Sequence, residues 1–229
     1  MKFGGTSVAD VDRIKIVRDI ISDEIKNGWN VVAVVSAMSK ETNKLIDLAK
    51  KVGVESIVDP EYDSLISTGE DISSALLAIA LNSIGISSRS WRGWQLPIRT
   101  DSFHSNAKIE EIEITKLVEA FKKGSKVAVV SGFQGLEKSG RITTLGRGGS
   151  DTSAVAIAAA IDAERCDIYT DVSGIYTTDP RIKKNASKLK KISFEEMLEM
   201  ASLGANVLQT RAVELAMRHK VPITVLNSF

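Results

Sequence analysis

The sequence predicts an α/β fold of three layers, with helices on both faces of a mostly parallel central sheet. Three observations carry that prediction. Short apolar, β-branched runs recur at 31–35, 127–130, 167–170 and 223–226, which is how strands buried on both faces read. Longer stretches of helical periodicity lie between them, so that strand and helix alternate along the chain. Polar turns follow several of the strands, where the ligands of open parallel sheets collect beyond the carboxyl ends.

The helical patterns fall at about 8–27, 41–52, 69–84, 110–123, 151–164, 194–202 and 206–219. Their limits are signed by residues that satisfy helix ends. Ser67 or Thr68 can cap the helix containing Glu70, and Ser193 with Glu196 makes a capping box. Gly28, Gly85 and Gly124 close three helices. The segment 135–144 reads as a polar hairpin, and 183–191 as a basic, solvated connection.

Composition excludes several function classes. The 229 residues suffice for a single domain with a sizeable core. Thirty basic residues against 29 acidic ones leave a net charge of +1 with few aromatics, an unpromising surface for nucleic acid. The most apolar stretches, 75–86 and 154–161, fall short of the roughly 18 residues a membrane span needs, and no leader-like segment opens the chain, so a cytoplasmic location is expected. Cys166 is the single cysteine and reads as a packed thiol. His104 and His219 are far apart in sequence, so no Cys/His metal site is expected.

Gly146-Arg147-Gly148-Gly149-Ser150-Asp151-Thr152 is the most informative motif. A flexible turn bearing one cation and one carboxylate runs into an apolar helix, whose first amides lack partners and carry roughly half a positive charge, favouring phosphate or carboxylate. Lys2-Phe3-Gly4-Gly5-Thr6-Ser7 is a second glycine turn before a helical pattern. Two such turns suit two anionic ligands or one polyphosphate. Neither is a Walker A motif nor the Gly-x-Gly-x-x-Gly dinucleotide pattern, so a different nucleotide fold is implied.

Other polar residues follow strands. Ser36, with Thr42 and Asn43 opening the next helix, could hold a substrate or simply form a loop and helix start. Glu70 either answers the field of its helix N-terminus or pairs with a substrate ammonium. The run from Thr170 and Asp171 through Tyr176 to Arg181 can frame a base and sugar while Arg181 reaches phosphate, although Asp179-Pro180 is also an ordinary turn signal.

Lys2-Phe3-Gly4-Gly5-Thr6-Ser7-Val8-Ala9, Thr144-Leu145-Gly146-Arg147-Gly148-Gly149-Ser150-Asp151 and Asp171-Val172-Ser173-Gly174-Ile175-Tyr176-Thr177-Thr178-Asp179-Pro180-Arg181 together resemble the signatures of the aspartate kinases, within the amino-acid kinase superfamily. The resemblance runs in order over almost the whole chain, making 1–229 one catalytic domain. It implies transfer of the ATP γ-phosphoryl group to the side-chain carboxylate of L-aspartate, the entry to lysine, diaminopimelate, threonine and methionine synthesis, with magnesium accompanying the nucleotide. By the same resemblance, Lys2 neutralises the transferring group beside the amides of Gly4 and Gly5, and Asp151 organises the centre. Thr42, Glu70 and Arg147 match aspartate-binding positions, whereas Thr170, Asp171, Tyr176 and Arg181 surround ATP.

The sequence departs from the family pattern at four places. Lys2 follows Met1 directly, so the strand that aims it is expected to be short. Asn206 stands where many relatives carry an ATP-contacting lysine, and can hydrogen-bond phosphate without adding charge. Asp71 stands where a basic residue is common, and is expected to alter pairing near the substrate. Relatives continue beyond residue 229 into ACT-type regulatory domains, which commonly supply a homodimer contact. The departures leave an alternative, a non-catalytic remnant that folds and binds nucleotide or a full-length partner. A superfamily kinase acting on glutamate, carbamate or a nucleotide fits the fold but not the joint motifs.

Overall fold

The computed structural model describes residues 1–54, 58–179, 182–183, 185–205 and 207–229. In chain order the elements are β1 (Lys2–Phe3), α1 (Val11–Lys26), β2 (Val31–Val35), α2 (Glu41–Val52), α3 (Pro60–Ile66), α4 (Thr68–Asn82), β3 (Ser88–Trp91), β4 (Ile98–Thr100), β5 (Ile109–Ile112), α5 (Thr115–Lys122), β6 (Val127–Ser131), β7 (Gln134–Leu136), β8 (Ile142–Thr144), α6 (Gly149–Ala160), β9 (Cys166–Thr170), α7 (Phe194–Ser202), α8 (Thr210–His219) and β10 (Ile223–Asn227).

Among the described residues the central sheet has six strands in the order β10-β9-β1-β2-β6-β3, and every neighbouring pair is parallel. Side-chain alternation explains why its strands read as unbroken apolar runs. Val31, Ala33 and Val35 of β2, with Val127 and Val129 of β6, pack among Ile14, Val17 and Ile21 of α1 and Leu77 and Leu81 of α4. Val34, Ala128 and Val130 point the other way, onto Val155 and Ile157 of α6 and the Val213 side of α8. Both faces are therefore buried, giving the predicted three layers.

β1 has two residues, yet it occupies the middle of the sheet. Lys2 lies opposite Val34 on one side and Ile168 on the other, so paired backbone on both flanks fixes the direction of its side chain. The Met1 nitrogen donates to the Val32 carbonyl at 2.8 Å. Cys166 is packed as expected; burial raises its thiol to about 11, which leaves it inert at neutral pH.

Several boundaries differ from the sequence reading. Residues 109–112 form a strand rather than the start of a helix, because Ile109 and Ile112 pair with Thr100 and Ile98 across β4. The preceding patterns also miss α3 and the second sheet, ordered β5-β4-β7-β8. The 135–144 hairpin is present as antiparallel β7 and β8. Ser67 and Thr68 do not cap α4: their hydroxyls donate back to the carbonyls of Ser64 and Leu65 in α3, which abuts it. The Ser193 capping box forms, with both reciprocal bonds. Helix α6 stops at Ala160, followed by Asp162 at φ 52°, a left-handed conformation that ends the pattern short of residue 164. The 206–219 pattern begins as a helix only at Thr210.

The run Pro60–Asn82 is long and apolar enough to cross a membrane by length and composition, with a mean hydropathy of 1.3. It comprises two helices end to end and half of it is buried, with Leu77 and Leu81 fully covered by the sheet, so it reads as core.

Candidate active site

The carboxyl ends of the parallel strands carry the polar residues. Lys2 at the end of β1 meets Asp151, in the first turn of α6, at 2.7 Å, with side-chain exposures of 12% and 10%. The pair sits at the floor of an open cavity of about 450 Å³ whose wall also includes Gly5, Ser36, Thr42, Glu70 and Arg147. Sequence-predicted residues separated by more than a hundred positions thus face one space. Arg147 is exposed at the rim and has no carboxylate partner among the described residues. Its unengaged fork suits a bidentate carboxylate.

Glu70 is 4% exposed. Its Oε1 accepts from the Ala37 N–H at 3.0 Å, while Oε2 has no hydrogen-bond partner among the described residues. Burial, the largest influence, raises its pKa to about 8, against the lowering effect of the Ala37 N–H. Both sequence readings find support: Glu70 stands in the first turn of α4, where its own N–H favours the ionised form, and its unpartnered oxygen lies on the cavity wall, where a cationic group would satisfy it. Gly69 lets α4 approach so closely, since a Cβ there would stand 2.8 Å from the Cβ of Ala37.

The glycine turn before α6 is built as predicted. Gly146 and Gly148 have φ of 75° and 72°, and the first bonds of the turn run from Gly149 to the Gly146 carbonyl and from Asp151 and Thr152 to the Gly148 carbonyl. The N–H groups of Arg147, Gly148 and Ser150 make no hydrogen bond among the described residues, leaving donors for an anion. The first glycine turn differs. Its helix starts only at Val11, capped by the Asp10 side chain on the Arg13 N–H, and no described residue of α1 lines the cavity. The Gly4 N–H is also engaged, donating to the Tyr169 carbonyl at 3.3 Å, whereas the Gly5 N–H has no partner among the described residues. Space is what constrains Gly5: a Cβ there would stand 2.9 Å from the Ala37 carbonyl oxygen, whereas one at Gly4 would make only ordinary contact, 3.5 Å from Lys2 Nζ.

A second cavity, of about 610 Å³, opens beyond β9 and includes Thr170, Asp171 and Tyr176 with Met197, Met200 and Gly204. Its mixed apolar and polar wall suits a base and sugar. The 183–191 connection is more than a solvated face, because Leu189 and Thr177 hydrogen-bond across to Ile175 and Ser187, and Tyr176 bridges Lys188, holding the Tyr176 loop. Arg181 and Asn206 lie outside the described residues. β1 stands between β2, which leads to the first cavity, and β9, which leads to the second, so Lys2 and Gly4 sit at the seam.

Asp71 does not reach the first cavity. It accepts from Ser131 Oγ at 2.8 Å and Gln134 Nε2 at 2.9 Å and pairs with Arg92 at 3.3 Å, so its pairing lies behind the wall, not within the cavity. The sequence reading missed Lys40, a third cation on the same cavity wall beside Lys2 and Arg147. Its φ of 66° places a non-glycine residue in the left-handed region just before α2, a local conformation that residue type does not advertise.

A model of the amino acid kinase family matches residues 1–227. An aspartate kinase of Stutzerimonas stutzeri is 54% identical over 228 residues, covering all of this chain and 55% of its own length. The chain therefore spans about half the length of the curated relatives it matches. The crystal structure of aspartate kinase from Synechocystis superposes with a TM-score of 0.87 at 45% identity, over 99% of this chain and 37% of that one. Aspartokinase III of E. coli, solved with aspartate and ADP, also gives 0.87, at 30% identity over 99% of this chain and 61% of that one.

Proposed function

The chain belongs to the amino acid kinase family, and from that premise we propose that it is the catalytic part of an aspartate kinase, which phosphorylates the side-chain carboxylate of L-aspartate with ATP. The observation that carries the reading is the cavity over the Lys2–Asp151 pair, where Arg147 and a buried Glu70 oxygen, both without partners among the described residues, face the same space. That complement fits a small amino acid bearing more than one carboxylate. Arg147 grips a carboxylate and Glu70 takes the α-ammonium, which leaves the side-chain carboxylate directed to the seam. Thr42 and Ser36 offer hydroxyls along the same wall.

ATP occupies the cavity beyond β9, with Thr170, Asp171 and Tyr176 about the nucleoside and the phosphates leading towards Gly4, Gly5 and Lys2. A carboxylate oxygen attacks the γ-phosphorus, the new O–P bond forms as the bond to the β-phosphate oxygen breaks, and 4-phospho-L-aspartate and ADP result. The nucleophile is already ionised at neutral pH, so no base must remove a proton. What the site must supply is alignment of two anions and neutralisation of charge on the transferring group. Lys2 does this, and Asp151 holds its ammonium at the floor of the site until phosphate competes for it.

Magnesium belongs to the same reading. Among the described residues no three Asp, Glu, His or Cys side chains converge, and Asp151 alone faces the reacting end. That donor set fits a cation carried mainly by phosphate oxygens and water, and when bound it would neutralise phosphate charge. The reading also includes a cytoplasmic location and pairing of two copies. It is tested by following ADP release from Mg-ATP with the purified chain. Release that depends on L-aspartate and falls at least a hundredfold in Lys2→Met supports it; aspartate-independent release, or none from folded protein, refutes it.

A further inference from the structure

A buried carboxylate outside the phosphoryl-transfer machinery ties the two ends of the substrate cavity together. Asp63, on α3, is fully buried. Its oxygens accept from the Thr144 N–H at 2.9 Å, Thr144 Oγ1 at 2.6 Å, the Ser105 N–H at 2.9 Å and Ser105 Oγ at 3.1 Å. His104 Nδ1 stands 2.9 Å away, and because a carboxylate offers only lone pairs, that nitrogen carries the hydrogen. A buried carboxylate is costly unless so fully bonded.

The placement gives the cluster a purpose. Asp63 lies one and a half to two turns before Glu70 in the abutting α3–α4 pair, while Thr144 precedes Leu145, Gly146 and Arg147. The 101–108 loop closes the arrangement: Ala107 donates to the Thr144 carbonyl at 2.9 Å, and Ser105 is held at φ 64°. From the other side, Arg211 of α8 donates to the Leu145 carbonyl at 2.9 Å and to Asn106 Oδ1 at 2.6 Å. The turn carrying Arg147 is thus braced on one side by the helix pair carrying Glu70.

We propose that Asp63 is a positioning residue that sets the spacing between Glu70 and Arg147, and with it the fit of the amino-acid substrate, with Arg211 as the opposing brace. The proposal rests on the functional reading above. Asn at position 63 keeps the shape but presents an amide where donors now converge, which loosens the turn. A displacement near 1 Å in such a site costs about a hundredfold.

The experiment compares Asp63→Asn, Arg211→Met and the milder Ser105→Ala with the wild type, by steady-state kinetics and by amide hydrogen exchange. Asp63→Asn and Arg211→Met should raise KM for aspartate about tenfold to a hundredfold, change KM for ATP less than about twofold, and speed exchange at 144–149 while β6 and α1 keep their protection; Ser105→Ala should fall between. Unchanged aspartate KM with wild-type exchange at 144–149 overturns the proposal, as does a uniform loss of protection with both KM values moved together, which is what a merely structural role gives. If the wild type shows no aspartate-dependent turnover, the functional reading has failed, and exchange at 144–149 decides the positioning role by itself. Should Asp63→Asn not fold, the other two variants carry the same test.

Discussion

Glu70→Gln separates the charge of the buried carboxylate from its shape. The amide oxygen can still accept from the Ala37 N–H, so the local geometry is retained. With a pKa of about 8 in the empty site, about a tenth of Glu70 is ionised at pH 7 and about a hundredth at pH 6. If the ammonium of the substrate binds the ionised form, KM for aspartate should fall about tenfold per unit from pH 6 to nearly 8 and then level, since the substrate must drive off a proton below that point. Gln should abolish that slope and raise KM at pH 8 by about tenfold to a hundredfold, the loss of a charge-assisted hydrogen bond of about 1.5–3 kcal/mol. The same shift has a stability consequence of opposite sense. The folded pKa lies above the unfolded value, so between about 4.5 and 8 the native state holds the proton that the unfolded chain has lost, and empty wild-type protein loses stability as pH rises through that window. The slope is at most about 1.4 kcal/mol per unit, and Gln removes it. Initial-rate kinetics at saturating Mg-ATP from pH 6 to 8, paired with urea titrations, measure both. A wild-type KM that is flat over this range, or an equal slope in the Gln variant, would refute the assignment of Glu70 to the ammonium.

Other substitutions probe separate parts of the site. Lys2→Met should lower kcat by about a hundredfold or more and also lower stability by about 3–5 kcal/mol, because it leaves Asp151 buried without its partner; the double variant with Asp151→Asn should recover stability in denaturant titrations but not turnover. Arg147→Ala should raise KM for aspartate far more than KM for ATP, and equal effects in initial-rate kinetics would remove it from the acceptor side. Gly148→Ala should destabilise by more than about 1 kcal/mol in thermal unfolding, since φ is 72° and a Cβ would stand 1.8 Å from Gln209 Cγ.

The parts legible in the sequence are those written locally. The limits of β2, α2 and α7 agree with the sequence reading to the residue, because an unbroken apolar run, helical periodicity closed by Gly53 and a capping box need no distant partner to be recognised. The short strands β4 and β5 were not legible as such: Ile109-Glu110-Glu111-Ile112 suits a helix turn as well as a strand, and only pairing with Ile98 and Thr100 decides. The same holds in the site. Lys2, Arg147 and Asp151 stand in glycine-rich motifs whose chemistry is written beside them. The burial of Glu70 depends on Ala37, 33 residues away, and the Asp63 cluster joins three segments no local pattern connects. Lys40 escaped because its position depends on a backbone angle.

Trapping the product with hydroxylamine identifies which carboxylate of the substrate receives the phosphoryl group. The purified chain is incubated with Mg-ATP, L-aspartate and hydroxylamine, and the hydroxamate is identified by mass spectrometry. An aspartyl hydroxamate at the side-chain carbon, formed only with both substrates and absent in Lys2→Met, is the predicted result. A hydroxamate at the α-carboxyl carbon, or glutamate serving as acceptor as well as aspartate does, would overturn the assignment of this cavity to L-aspartate.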